Sequence, residues 1–84
     1  MNSHNNFLMR DTVEMIVKSL VDEVDAVDVR EIESGSSVKI EVRVAESDMG
    51  KLIGRQGRTV RALRSLLHAA GMKANRRFTL EIVE

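Results

Sequence analysis

Two glycines three residues apart, Gly54 and Gly57, separate a short apolar pattern from a long helical one and place a tight loop between two helices. The segment reads Gly50-Lys51-Leu52-Ile53-Gly54-Arg55-Gln56-Gly57-Arg58-Thr59. Glycine has no Cβ, so a ligand can come close to the backbone at Gly54 and Gly57. A helix that starts near Gly57 presents unpaired N–H groups and a partial positive charge. Arg55 and Arg58 add full charges. Together these parts suit an anionic ligand such as a phosphate backbone.

The charge distribution points the same way. From Met49 to Leu80 there is no Asp or Glu, while Lys51, Arg55, Arg58, Arg61, Arg64, Lys73, Arg76 and Arg77 are all basic. Residues 1–48 carry five basic and eleven acidic side chains, and residues 49–84 carry eight and two. A net charge of zero thus hides a −6 half and a +6 half. Such asymmetry marks chains that meet nucleic acid or another anionic surface.

Eighty-four residues, 43% of them hydrophobic, fit one small domain. Met1–Asn6 is polar and reads as a disordered tail, leaving residues 7–84 as the folded unit. No apolar run approaches the roughly 18 residues that span a bilayer, so no membrane role is expected. Cysteine is absent, which excludes disulfides and thiolate metal sites and fits a reducing cytoplasm. His4 and His68 lack companions at ligand spacing, and no metal or cofactor is expected.

Apolar residues at three- and four-residue spacing predict a helix over 7–24: Met9, Val13, Ile16, Val17, Leu20 and Val24. Residues 27–33 read as a strand whose phase Ile32 breaks, implying a bulge or early turn. Ser34-Gly35-Ser36 is a turn. Residues 38–44 alternate cleanly, with Val38, Ile40, Val42 and Val44 on one face. Ser47-Asp48 can cap a short helix over 48–53. A second long helix covers 57–70, with Val60, Leu63, Leu66, Leu67 and Ala70 on one side and Gly71 as its stop. Phe78, Leu80 and Ile82 alternate in a last strand. The result is an α+β chain in the order α-β-β-α-α-β, a three-stranded sheet with helices on one face.

This order, with Ile53-Gly54-Arg55-Gln56-Gly57 between its last two helices, resembles the type II KH domain. The Glu46–Arg58 segment and the helix containing Val13-Glu14-Met15-Ile16-Val17 bring it closer to the small bacterial single-KH, KhpA-like family. The resemblance covers about residues 8–83. It implies a non-catalytic protein that binds single-stranded RNA, a chaperone or post-transcriptional regulator, with the loop clamping roughly four nucleotides. It also implies pairing as a homodimer or with another KH-containing protein. Carried over by position, Gly54 and Gly57 permit close contact, Arg55 and Gln56 face the phosphates, and Ile53 adds to an apolar floor under the bases. Gly50 and Lys51 precede the loop, and Arg58 and Arg61 follow it on the basic side.

Other readings are weaker on physical grounds. A solvated basic face is the ordinary reading of such arginines. Here, however, Arg58, Arg61 and Arg64 are like charges at i, i+3 spacing, which is mildly destabilising. Arg58 also sits at the positive end of the helix dipole. An anionic ligand offsets both. Gly50 has a structural alternative, close packing of two helices. Phe78 reads as a core residue, so stacking on an exposed aromatic sheet is not expected. The phosphate-loop pattern fails, because three residues separate Gly50 from Gly54 and Arg55 follows. The dinucleotide fingerprint fails because residue 52 is leucine. Two rivals remain open. One is a protein-interaction module that uses Asp22, Glu23, Asp25 and Asp28; the other is single-stranded DNA as the ligand.

Overall fold

The computed structural model describes residues 9–84, and its elements run in the order expected from the sequence. They are α1 (Met9–Leu20), β1 (Asp28–Ser34), β2 (Ser37–Arg43), α2 (Met49–Ile53), α3 (Arg58–Ala74) and β3 (Arg77–Ile82). The expected tail, Met1–Asn6, lies outside the described residues.

β1 and β2 form an antiparallel hairpin through Gly35, whose φ of 63° a side chain would disfavour. β3 pairs in parallel on the other side of β2, giving the order β1-β2-β3. A parallel pair needs a long crossover, and α2 and α3 supply it. The alternation read in β2 holds: Val38, Ile40 and Val42 are fully buried and Lys39 and Arg43 exposed. α1 packs on β1 and α3 on β3, and the core joins Val13, Val17 and Val21 to Val29, Leu52, Val60, Leu63, Leu67 and Leu80.

Several boundaries differ from the sequence reading. The first helix stops at Leu20 rather than 24. Asp22, Glu23 and Asp25 would place three carboxylates at a helix C-terminus, where the dipole opposes them. Val21 is therefore the buried residue, and Val24 is exposed in a separate 3-10 turn, Val24–Ala26. β1 contains no bulge. Its register with β2 is unbroken from Asp28↔Arg43 to Ser34↔Ser37, and Ile32 lies exposed on the outer face opposite Lys39. The register puts Glu31 and Glu33 on the same face as Val29, but only Val29 is buried; Glu31 is half-buried and Glu33 exposed.

α3 runs through Gly71 and ends at Asn75, which takes the left-handed conformation at φ 60°. Gly71 is buried because the chain returns against it. A Cβ there would overlap the Arg76 carbonyl oxygen and lie 3.2 Å from Phe78 Cδ2. Leu66, assigned to the inner side, is 59% exposed. Phe78 packs against the core but stays half-buried at the sheet edge.

Candidate nucleic-acid interface

The Gly54–Gly57 loop is a 3-10 turn, Arg55–Gly57, inserted between α2 and α3. It is closed by Gly54 N–H to the Gly50 carbonyl at 2.9 Å and Gly57 N–H to the Gly54 carbonyl at 3.0 Å. Its backbone takes positive φ at Gly54 (82°), Gln56 (57°) and Gly57 (74°). The two glycines have different reasons. At Gly54 a Cβ would overlap Thr59 Oγ1 and lie 2.7 Å from Thr59 Cβ, so the loop folds onto Thr59. At Gly57 a Cβ would meet nothing closer than Arg61 Nη1 at 4.0 Å, and conformation alone favours glycine. Gln56 is an uncommon non-glycine residue in this region of backbone space. Its side chain accepts from Arg58 Nη2 at 3.5 Å, a contact at the limit of a hydrogen bond.

The first turn of α3 carries no side-chain cap and no acidic residue. Around this uncapped helix start lie Arg55, Gln56, Arg58 and Arg61, all exposed, while the Arg58 N–H is bonded to the Arg55 carbonyl. Among the described residues, no ion pair involves Arg55, Arg58, Arg61, Arg64 or Arg77. Arg76 differs, pairing with Glu33 at 3.6 Å. Gly50 is exposed and a Cβ there would meet open space, so it is not needed for helix packing. Ile53 is 39% exposed and lines a cleft with Val44 and Met49, rimmed by Arg43, Glu46 and Glu84.

Lys51 is placed differently from its neighbours. Its Nζ lies 3.1 Å from Asp22 Oδ2 and 3.6 Å from Asp48 Oδ1. The hydrogen bond to Asp22 leads in raising the Lys51 pKa. Asp48 does not cap α2. It is 1% exposed, and its carboxylate accepts Glu23 N–H at 2.9 Å and Asp22 N–H at 3.2 Å. These bonds, Glu23 foremost, hold its pKa below the ordinary 3.8 against the opposing effect of burial. Asp48 thereby ties the segment after α1 to the start of α2. Sequence reasoning missed both this tie and the seat of Gly54 on Thr59. The visible signals were an aspartate before apolar Met49 with Lys51 three residues on, and a small β-branched residue just past the loop.

Among the described residues, no group of three or more His, Cys, Asp or Glu is placed to hold a metal. No described helix is long and apolar enough to cross a membrane.

Comparison with known proteins gives a consistent picture. Residues 10–82 match the family described as "KhpA/KhpB, KH domain". The chain is 53% identical over 72 residues to the RNA-binding protein KhpA of Borreliella burgdorferi, covering 86% of this chain and 88% of that protein. It is 50% identical over 76 residues to the protein of the same name from Aquifex aeolicus, covering 90% and 96%. The corresponding protein of Caldanaerobacter subterraneus is 48% identical over 75 residues, covering 89% and 100%. No solved structure gives a significant match.

Proposed function

Because this chain belongs to the KhpA/KhpB family of KH domains, we propose that it binds single-stranded RNA and performs no chemistry on it. The observation that carries this reading is the Gly54–Gly57 loop. Three positive-φ residues turn the backbone at the uncapped, acid-free start of α3, with exposed Arg55, Gln56, Arg58 and Arg61 around it. Phosphates at the loop would meet backbone N–H groups, the helix dipole and the arginine charges together. Neighbouring bases would rest on the Ile53, Met49 and Val44 surface. Gly50, with open space before it, lets the strand pass close to α2. Lys51 serves this site through Asp22 and Asp48, holding α2 in place, more than through direct contact.

Residues 7–84 act as one KH unit in this reading. A single unit grips few nucleotides, and joining two sites raises avidity without new contacts. We therefore read the chain as working in pairs, with itself or with a second KH-containing chain, as an RNA chaperone or regulator in the cytoplasm.

The test is the double substitution Arg55→Asp, Gln56→Asp. Both side chains are exposed, and aspartate tolerates the positive φ at 56. Stability should change by less than about 0.5 kcal/mol, whereas like charge against the strand costs several kcal/mol. Binding of a labelled single-stranded RNA should disappear while the thermal midpoint holds. Native affinity in this variant would put a protein-interaction module in place of the clamp. Single-stranded DNA titrated alongside, bound as tightly as RNA, would widen the ligand class.

A further inference from the structure

We propose that Asp22 sets how tightly the Gly54–Gly57 loop grips RNA: it holds Lys51 back from the phosphates, so that one cation of the clamp is kept out of use. The inference rests on the RNA-binding reading above and concerns the strength of that same site.

Lys51 is the exception among the basic residues around the loop. Arg55, Arg58, Arg61 and Arg64 are exposed and, among the described residues, have no carboxylate partner. Lys51 stands on α2 about one helical turn before Gly54 and Arg55. A lysine ammonium on its flexible stem binds phosphate as a point charge, with no fixed direction of approach. Its position therefore suits a phosphate seated at the loop, yet its Nζ lies 3.1 Å from Asp22 Oδ2.

This pairing is built into the fold. Asp22 belongs to the segment after α1, and its backbone N–H is tied to Asp48 at 3.2 Å, with Glu23 N–H beside it at 2.9 Å. Asp48 is 1% exposed and stands three residues before Lys51. A buried carboxylate thus fixes the place of the exposed acid that faces Lys51. Asp48 itself is the weaker partner of the lysine. Its Oδ1 is 3.6 Å from Nζ, past hydrogen-bond range, and its oxygens already accept two N–H groups. The Asp22 carboxylate has no such commitment among the described residues. Both side chains of the Lys51–Asp22 pair are open to water, so the pair adds little to stability. Its effect falls on what else Lys51 can reach.

The experiment measures binding of a labelled octauridylate across a range of salt concentrations. Asp22→Asn frees Lys51 and keeps the backbone N–H that Asp48 holds. It should bind up to about fivefold more tightly at low salt. Its log–log salt slope should steepen by about 0.7, the mark of one more phosphate. Lys51→Gln should leave the slope of the wild type unchanged and should abolish the gain in the Asp22→Asn background. Asp25→Asn removes the same charge from the same segment without breaking an ion pair to Lys51, and should change affinity little. All of these side chains are exposed, so circular dichroism should show each variant folded. The restraint is overturned if Asp22→Asn binds like the wild type, if Asp25→Asn gains as much, or if the gain survives Lys51→Gln. It is also overturned if Lys51→Gln lowers the slope of the wild type, since Lys51 would then already sit on a phosphate. Wild-type protein that binds no RNA would overturn the RNA-binding reading and this inference with it, whereas wild-type binding that Asp22→Asn leaves unchanged overturns the restraint alone.

Discussion

At the level of single residues, Gly54 and Gly50 make a contrast that composition cannot show. Gly54 combines φ 82° with Thr59 in the space of a Cβ. Gly54→Ala should therefore lower stability by about 1–3 kcal/mol in urea unfolding. Gly50 sits in a helix with open space before it. Gly50→Ala should raise stability by about 0.5–1 kcal/mol, and an unchanged RNA affinity would remove Gly50 from the interface. Asp48 adds a pH dependence. Its folded pKa lies below the ordinary value, so the stability it contributes is complete above the unfolded pKa. That stability is lost as pH falls below the ordinary 3.8 and through the lower, folded value. Asp48→Asn offers one acceptor where two N–H groups point. It should be less stable at neutral pH, and its thermal midpoint should depend less on acid than the wild type's.

At the level of elements, the test of the core is which face of α3 turns inward. Leu63 is buried and Leu66 exposed. Leu63→Asp should unfold the chain because it buries an unpaired charge. Leu66→Asp should remain folded, within about 0.5 kcal/mol of the wild type, as circular dichroism would report. Sequence periodicity placed all six main elements in order, because β2 is buried on one face and α1 and α3 each carry a clear apolar stripe. It erred where a long-range partner decides. Leu66 fits the spacing but lies beyond the reach of the sheet. Gly71 looks like a stop and is a contact point, because β3 returns against it. Ile32 seemed out of phase only because the pairing with β2, not β1's own pattern, sets which side faces in. The loop glycines and exposed arginines were legible since they depend on local spacing. The Asp48 tie was not, as its partners lie more than twenty residues away.

At the level of the whole molecule, eight basic and two acidic residues in the second half oppose five and eleven in the first. If RNA is held through phosphates at the basic end, affinity should fall with salt. Its log–log slope should be about −0.7 per phosphate, with roughly two to four phosphates engaged. Affinity unchanged between low and physiological salt would count against a phosphate clamp. The parallel pairing of β2 with β3 has a consequence on another axis, that of time. The loop lies within the crossover joining those strands, nearer its β2 end, and Val83 N–H bonds the Val42 carbonyl at 2.9 Å. β3 packs against α3, the helix that starts at the loop, so an opening that loosens α3 also releases β3. A strand bound to native loop and helix, and not to the loosened chain, makes that opening rarer. Amide deuterium uptake along β3 should slow when RNA binds at the opposite end of α3, so the last strand keeps a record of how long the loop is occupied.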